Sequence, residues 1–189
     1  MDQRTLIVIG VAAIVLMVVI AAIAARRSKR QRSERLRKRF GPEYDRVVAE
    51  HGNPAAAEKA LEEREKRWAK LIIRSLPAGD REHFAEAWRT VQAGFVDAPG
   101  ESVTQADQLL ERLMAQRGYP VGDFELQATD LSVDHPHVVQ NYRAAREIAD
   151  RQRSGKASTE DLREALIQYR ALYEELLTPK ISMASEVRK

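Results

Sequence analysis

Polar and apolar residues follow one another in three different ways along this chain. Leu6 to Ala25 is a run of twenty residues without a charge, Arg26 to Arg39 is dominated by cations, and beyond Gly41 apolar residues recur every three or four positions. The first pattern predicts a transmembrane helix over residues 6–25. At about 1.5 Å per residue it spans roughly 30 Å, enough for a hydrocarbon core. Lipid offers backbone N–H and C=O groups no partner, so a lone span has to be helical. A glycine at position 10 without a second four residues later leaves the small-residue dimer motif incomplete.

The second pattern predicts that this helix continues into water as a basic juxtamembrane segment, residues 26–40. Its large apolar residues are Leu36 and Phe40, four apart, a narrow contact stripe. The third pattern predicts a compact, soluble, all-α domain over 41–178, a bundle of about six helices. Gly41-Pro42 and His51-Gly-Asn-Pro54 punctuate the chain as C-caps, N-caps and first-turn prolines. A helix over about 55–74 carries Ala57, Leu61, Trp68 and Ile72 on one face, interrupted by Arg64. Phe84, Trp88, Val91 and Phe95 mark the next helix, and Val103, Ala106, Leu110 and Leu113 the one after, which Gly118-Tyr-Pro120 ends. Phe124–Ala128 reads as a short helix within an irregular stretch, an extended piece being the alternative. Pro136 opens a helix bearing Val138, Val139, Tyr142, Ala145 and Ala149. Ser158 with Asp161 forms a capping box before a last helix striped by Leu162, Leu166, Tyr169, Tyr173 and Leu176. Residues 1–5 and 179–189 read as an N-terminal tail and a flexible C-terminal tail. No alternating run bounded by turns predicts a strand, and no internal repeat is present.

Charge gives the chain a direction. Arg26, Arg27, Lys29, Arg30, Arg32, Arg35, Arg37, Lys38 and Arg39 are nine cations opposed only by Glu34. Such a flank resists translocation, which places the N-terminus outside and everything after Ala25 in the cytoplasm. A cleaved signal peptide is the rival reading, with Ala22-Ile-Ala24 as a small-x-small site. Against it, the apolar run exceeds the usual roughly 7–15 residues, and the leading residues carry only Arg4, offset by Asp2. The overall +3 charge hides a segregation. Ten of the 31 Lys+Arg and two of the 28 Asp+Glu lie before Phe40, so residues 40–189 hold 21 cations and 26 anions, a net of −5. A basic collar on a mildly acidic body argues against nucleic acid as partner, since neither a folded basic face nor aromatic interleaving is present. Zero cysteines exclude disulfides, thiolate nucleophiles and cysteine-based zinc sites.

Several short motifs stand out. Phe40-Gly-Pro-Glu-Tyr-Asp-Arg46, Phe95-Val-Asp-Ala-Pro99, Ala106-Asp107 with Leu109 and Leu110, Arg117-Gly-Tyr-Pro120, and Asp130-Leu-Ser-Val-Asp-His-Pro136 with Tyr142-Arg143 are the most distinctive. Over about residues 36–177 they resemble a set of bacterial, single-pass, membrane-anchored helical proteins that has no assigned activity. The resemblance implies a bacterial inner-membrane protein with a helical domain, and it brings no catalytic residues with it.

Two clusters carry candidate chemistry. Asp134, His135 and His137 lie within four residues and offer two imidazoles and a carboxylate to a divalent metal. The plainer reading is that Asp134 or Ser132 caps the helix opened by Pro136. Asp80 and His83, with Glu82 and Glu86, form half of a di-iron pattern, but that architecture needs a second such pair and further inward carboxylates. First-turn acids at a helix N-terminus account for Asp80 and Glu82. No phosphate-cradling glycine loop and no Gly-x-Ser-x-Gly occurs, so no catalytic residue and no cofactor is implied. The expectation is a membrane-tethered, non-catalytic interaction module. Its partners would be the bilayer, anionic headgroups at the collar, and a protein met by the helix surface or the 119–137 segment. The alternatives are a metal protein or enzyme using Asp134, His135 and His137, and a sensor of anionic lipid.

Overall fold

The computed structural model describes the backbone of residues 3–178 and, apart from residues 3–13 and 15, their side chains. The predicted tail over 179–189 lies outside the described residues. The protein is all-α, with eight helices and no strand among those residues. Contacts divide the chain into two units, Met1–Glu58 and Lys59–Lys189. The packing divides within α3, so α2 and the start of α3 belong with α1.

In the first unit α1 runs unbroken from Gln3 to Phe40, so the basic segment does continue the apolar one as a single helix. Gly41, at φ 50, turns the chain in a conformation that a side chain would strain, and α2 (Pro42–His51) follows with proline in its first turn. α1 packs on α2, and Leu36, Phe40, Tyr44, Val47 and Ala57 are buried. Glu43, fully buried, is gripped by the Arg46 guanidinium through bonds of 2.7 and 2.9 Å. Such a bidentate, charge-assisted pair is what lets a carboxylate leave water. Left-handed Gly52 closes α2, and the Asn53 side chain accepts from the Ala56 N–H at 2.8 Å to start α3 (Pro54–Trp68), as its sequence predicts.

The second unit is built around α8 (Thr159–Leu177), which packs against α4 (Ala78–Gly94), α5 (Pro99–Arg117) and α7 (Val139–Arg153). α6 (Phe124–Asp134) lies on α7. The predicted stripes meet here: Trp88 and Val91 from α4, Val103, Ala106, Leu110 and Leu113 from α5, and Tyr142, Ala145 and Ala149 from α7 are all in the core. Trp88 stacks on Tyr173 with centroids 4.6 Å apart, and the Tyr173 hydroxyl donates to the Phe84 carbonyl at 2.6 Å. The capping box of Ser158 and Asp161 opens α8.

Three expectations are corrected. α3 stops at Trp68 rather than near Arg74, so Ile72, expected on its apolar face, is 72 % exposed. Helical propensity yields there to a tertiary bond: the Arg74 N–H donates to the Arg117 carbonyl at 2.8 Å, which draws residues 72–77 into an irregular course past the end of α5. Gly118, left-handed at φ 91, permits that approach, because a Cβ there would lie 2.4 Å from the Ile72 carbonyl oxygen. α6, expected as a short helix over Phe124–Ala128, is a helix but runs on to Asp134, eleven residues capped by the Asp123 side chain, and seven helices follow α1 where about six were expected. And α7 begins at Val139, not Pro136. Neither Asp134 nor Ser132 caps it: both end up in α6, and the Ser132 hydroxyl donates to the Thr129 carbonyl at 2.6 Å.

Along α1 the apolar residues remain on the outside. Leu16, Met17, Val18, Val19 and Ile20 are consecutive and each between 47 and 70 % exposed. Steps of about 100° carry five such residues round every side of a helix. Among the described residues no helix is long and apolar enough to cross a membrane. The side chains of the first part of the predicted span, 6–13 and 15, lie outside the described residues.

Candidate functional site

The Asp134–His135–His137 cluster is taken apart by the fold. His135 follows the last turn of α6 with its ring buried, whereas His137 is exposed. The His135 Nδ1 lies 3.1 Å from a Glu175 carboxylate oxygen of α8, and Nε2 lies 3.2 Å from the Tyr119 hydroxyl. A carboxylate only accepts, so the hydrogen on Nδ1 points to Glu175. Tyr119 in turn donates to Asp134 at 3.3 Å. Burial, and then the Asp134 charge, pushes the Tyr119 hydroxyl above the usual phenol range, which keeps it a neutral donor. The imidazole thus ties α6 to α8 instead of aiming at a ligand. Among the described residues no group of three or more His, Asp or Glu converges as a metal site.

The Asp80–His83 half-pair is likewise dispersed. Asp80 accepts from the Gln116 side chain at 3.1 Å, Glu86 pairs with Arg89, and His83 and Glu82 are exposed. Phe84 and Trp88 hold the inward stripe of α4.

Residues that the sequence singled out only as motif or helix fill the polar interior. Asp107, on the core side of α5, accepts from Tyr169 at 2.9 Å and from Arg146 at 2.6 Å. Arg117 donates to the carbonyls of Arg74 at 3.3 Å and Leu176 at 3.0 Å, fastening both segments to the end of α5. Arg64, the interruption on the apolar face of α3, is buried and reaches Ser132 at 3.4 Å. Asp130 is 3 % exposed and faces Arg67 at 3.8 Å. Burial raises its carboxyl above the usual range, partly offset by Arg67 and Arg64. Nothing local signals these partners except Arg64 itself, a cation placed where the helical period demands an apolar residue. The motifs Arg117–Pro120 and Asp130–Pro136 therefore specify architecture.

That leaves the basic collar. A surface cleft of about 700 Å³ opens in the first unit, lined on α1 by Arg26, Lys29, Arg30 and Arg37. These positions follow one another at i, i+3, i+4 and i+11, a single helical face. Ser33, Tyr44 and Pro54 line its other parts, and Glu34 is its one carboxylate. The buried carboxylate of Glu58 stiffens this region by accepting from Ser33 and from the Tyr44 hydroxyl at 3.1 Å. The Arg37 guanidinium lies over the Tyr44 ring, 5.0 Å from its centroid. Arg27, Arg35, Lys38 and Arg39 do not line the cleft.

The 119–137 segment, expected as a recognition loop, is divided: Tyr119, most of Gln127–Val133 and His135 are buried, whereas 121–123, Glu125, Leu126 and His137 are exposed. Val121 and Leu126 are its exposed apolar residues. No family model matches the chain, and neither curated proteins nor solved structures give a match.

Proposed function

We propose that this protein is a membrane-tethered, non-catalytic interaction module: a single-pass anchor at 6–25, N-terminus outside, with its helical units in the cytoplasm of a bacterial cell. The observation that carries this reading is α1. An uninterrupted helix exposes consecutive large apolar residues on every side and then becomes predominantly basic. A helix apolar all round suits a protein core or a membrane, and among the described residues no element covers 16–20. The cationic half supplies the orientation. The resemblance to bacterial membrane-anchored proteins supports the same reading. The non-catalytic part rests on His135, Asp107 and Asp130, which serve as internal ties, and the helix surface with Val121 and Leu126 is left as the place for a protein partner.

Alkaline carbonate washing of membranes and a reporter fused after Leu177 test the anchor and its direction. Retention in the washed membrane with a cytoplasmic reporter is the expected result. Release by carbonate, or an external reporter, overturns it.

A further inference from the structure

Four of the nine collar cations share the α1 cleft, and they differ from Arg32 in having no ion-pair partner among the described residues. Arg32 is paired with Glu58 at 3.7 Å, whereas Arg26, Lys29, Arg30 and Arg37 form no ion pair among the described residues. Three of these four follow directly on the apolar run. From Ala25 to Arg30 the helix rises about 7 Å, the depth of one headgroup layer, taken as roughly 5–7 Å per leaflet. Arg37 stands about 10 Å further along and is held on Tyr44. A second cleft, also edged by Lys29, is lined by Arg32 and the Glu58 carboxylate it pairs with, which leaves it a single excess positive charge. The first cleft keeps an excess of three positive charges, four cations against Glu34.

We propose that this cleft binds the phosphate of an anionic phospholipid headgroup, with Lys29 and Arg30 contacting it at the membrane surface and Arg37, fixed on Tyr44, adding to the positive field from the far end of the cleft. The inference rests on the anchoring proposed above, since the bilayer is what brings a headgroup to Arg26–Arg30. It goes beyond a diffuse basic patch. A diffuse patch weighs every collar cation by its distance from the lipid, and a built cleft weighs them by the face of α1 they occupy.

That distinction is testable on the full chain in non-ionic detergent, titrated with dihexanoyl phosphatidylglycerol, dihexanoyl phosphatidylcholine or inorganic phosphate and followed by calorimetry. Two double variants are matched in residue type, charge and mean distance from Ala25. They are Lys29→Gln with Arg37→Gln inside the cleft, and Arg27→Gln with Lys38→Gln outside it. Saturable binding of the glycerol lipid is expected, weakened about tenfold or more by the cleft pair and less than about twofold by the outer pair. Equal losses from the two pairs, or equal binding of the choline lipid, overturn the proposal. Inorganic phosphate bound as tightly as the glycerol lipid overturns the lipid as the source of the phosphate. Should the cleft pair lower the melting temperature, Lys29→Gln with Arg30→Gln replaces it, leaving Arg37 on Tyr44. Carbonate washing of the same chain separates the two proposals: a protein that washes off yet binds the lipid in detergent keeps the cleft and loses the anchor.

Discussion

α1 and α8 are both long helices with many large apolar residues, and they dispose of them in opposite ways. In α8, Leu162, Ala165, Tyr169, Leu172, Tyr173 and Leu176 lie on one buried face, while Arg163, Glu164, Arg170 and Glu174 meet water. In α1, residues 16–20 are exposed in every direction, and polarity changes along the axis instead of around it. A helix whose environment is neighbouring protein on one side and water on the other has to be striped. A helix whose environment changes from end to end has to be banded. On the anchoring proposed above, the banding of α1 belongs to a boundary between two solvents; the striping of α8 belongs to a boundary within one molecule.

Charges placed in the apolar band are the strongest way to break this comparison. Leu16→Arg with Ile20→Arg costs about 5–7 kcal/mol of membrane insertion on the translocon scale. Loss of the protein from carbonate-washed membranes, with the helical circular dichroism of the remaining chain intact, is the expected outcome; undiminished retention removes the distinction. The striped side breaks at Trp88→Ala, which empties the space over Tyr173 and lowers stability by about 3–5 kcal/mol. Denaturant unfolding of the full chain in detergent measures it, and a loss below about 1 kcal/mol refutes the packing described for α4 and α8.

The smallest effect is one of slope, at Asp130. Its carboxyl is raised by burial, so the folded state holds the proton more tightly than the unfolded chain. The contribution of this group to stability therefore falls as pH rises from the ordinary carboxylate value, 3.8, through the raised one. Relative to Asp130→Asn, the native protein gains stability on acidification from neutral pH towards that value. Paired melting curves across this range read the difference, and parallel curves contradict the buried setting of Asp130.

What the sequence made legible was local. Gly52, Asn53 and Pro54 each took the place their backbone chemistry assigns, as did Gly118 and the Ser158–Asp161 box, because a cap is decided within four residues. The stripes of α4, α5 and α8 were equally readable, since period follows from helix geometry. Partnerships across the chain were not. His135 meets Glu175 forty residues on, and Asp107 meets Tyr169 sixty-two residues on. Neither spacing leaves a periodic trace. The end of α3 failed for the same reason: its residues favour helix up to Arg74, and only the carbonyl of Arg117 competes for that N–H. The two histidines drew attention as ligands because adjacency in sequence suggests convergence, but Pro136 and the turn around it send one ring inward and the other out.

One property of the interior reaches outside it. All five tyrosines are at most 3 % exposed, and each hydroxyl donates to a partner: Glu58, Asp134, Gln127, Asp107 and the Phe84 carbonyl. Nitrating or iodinating reagents, and any tyrosine kinase, therefore find their phenol only in molecules that have opened. The pace at which each tyrosine is labelled becomes a clock for the opening of its own part of the protein, with Tyr44 timing the first unit and the other four timing the second.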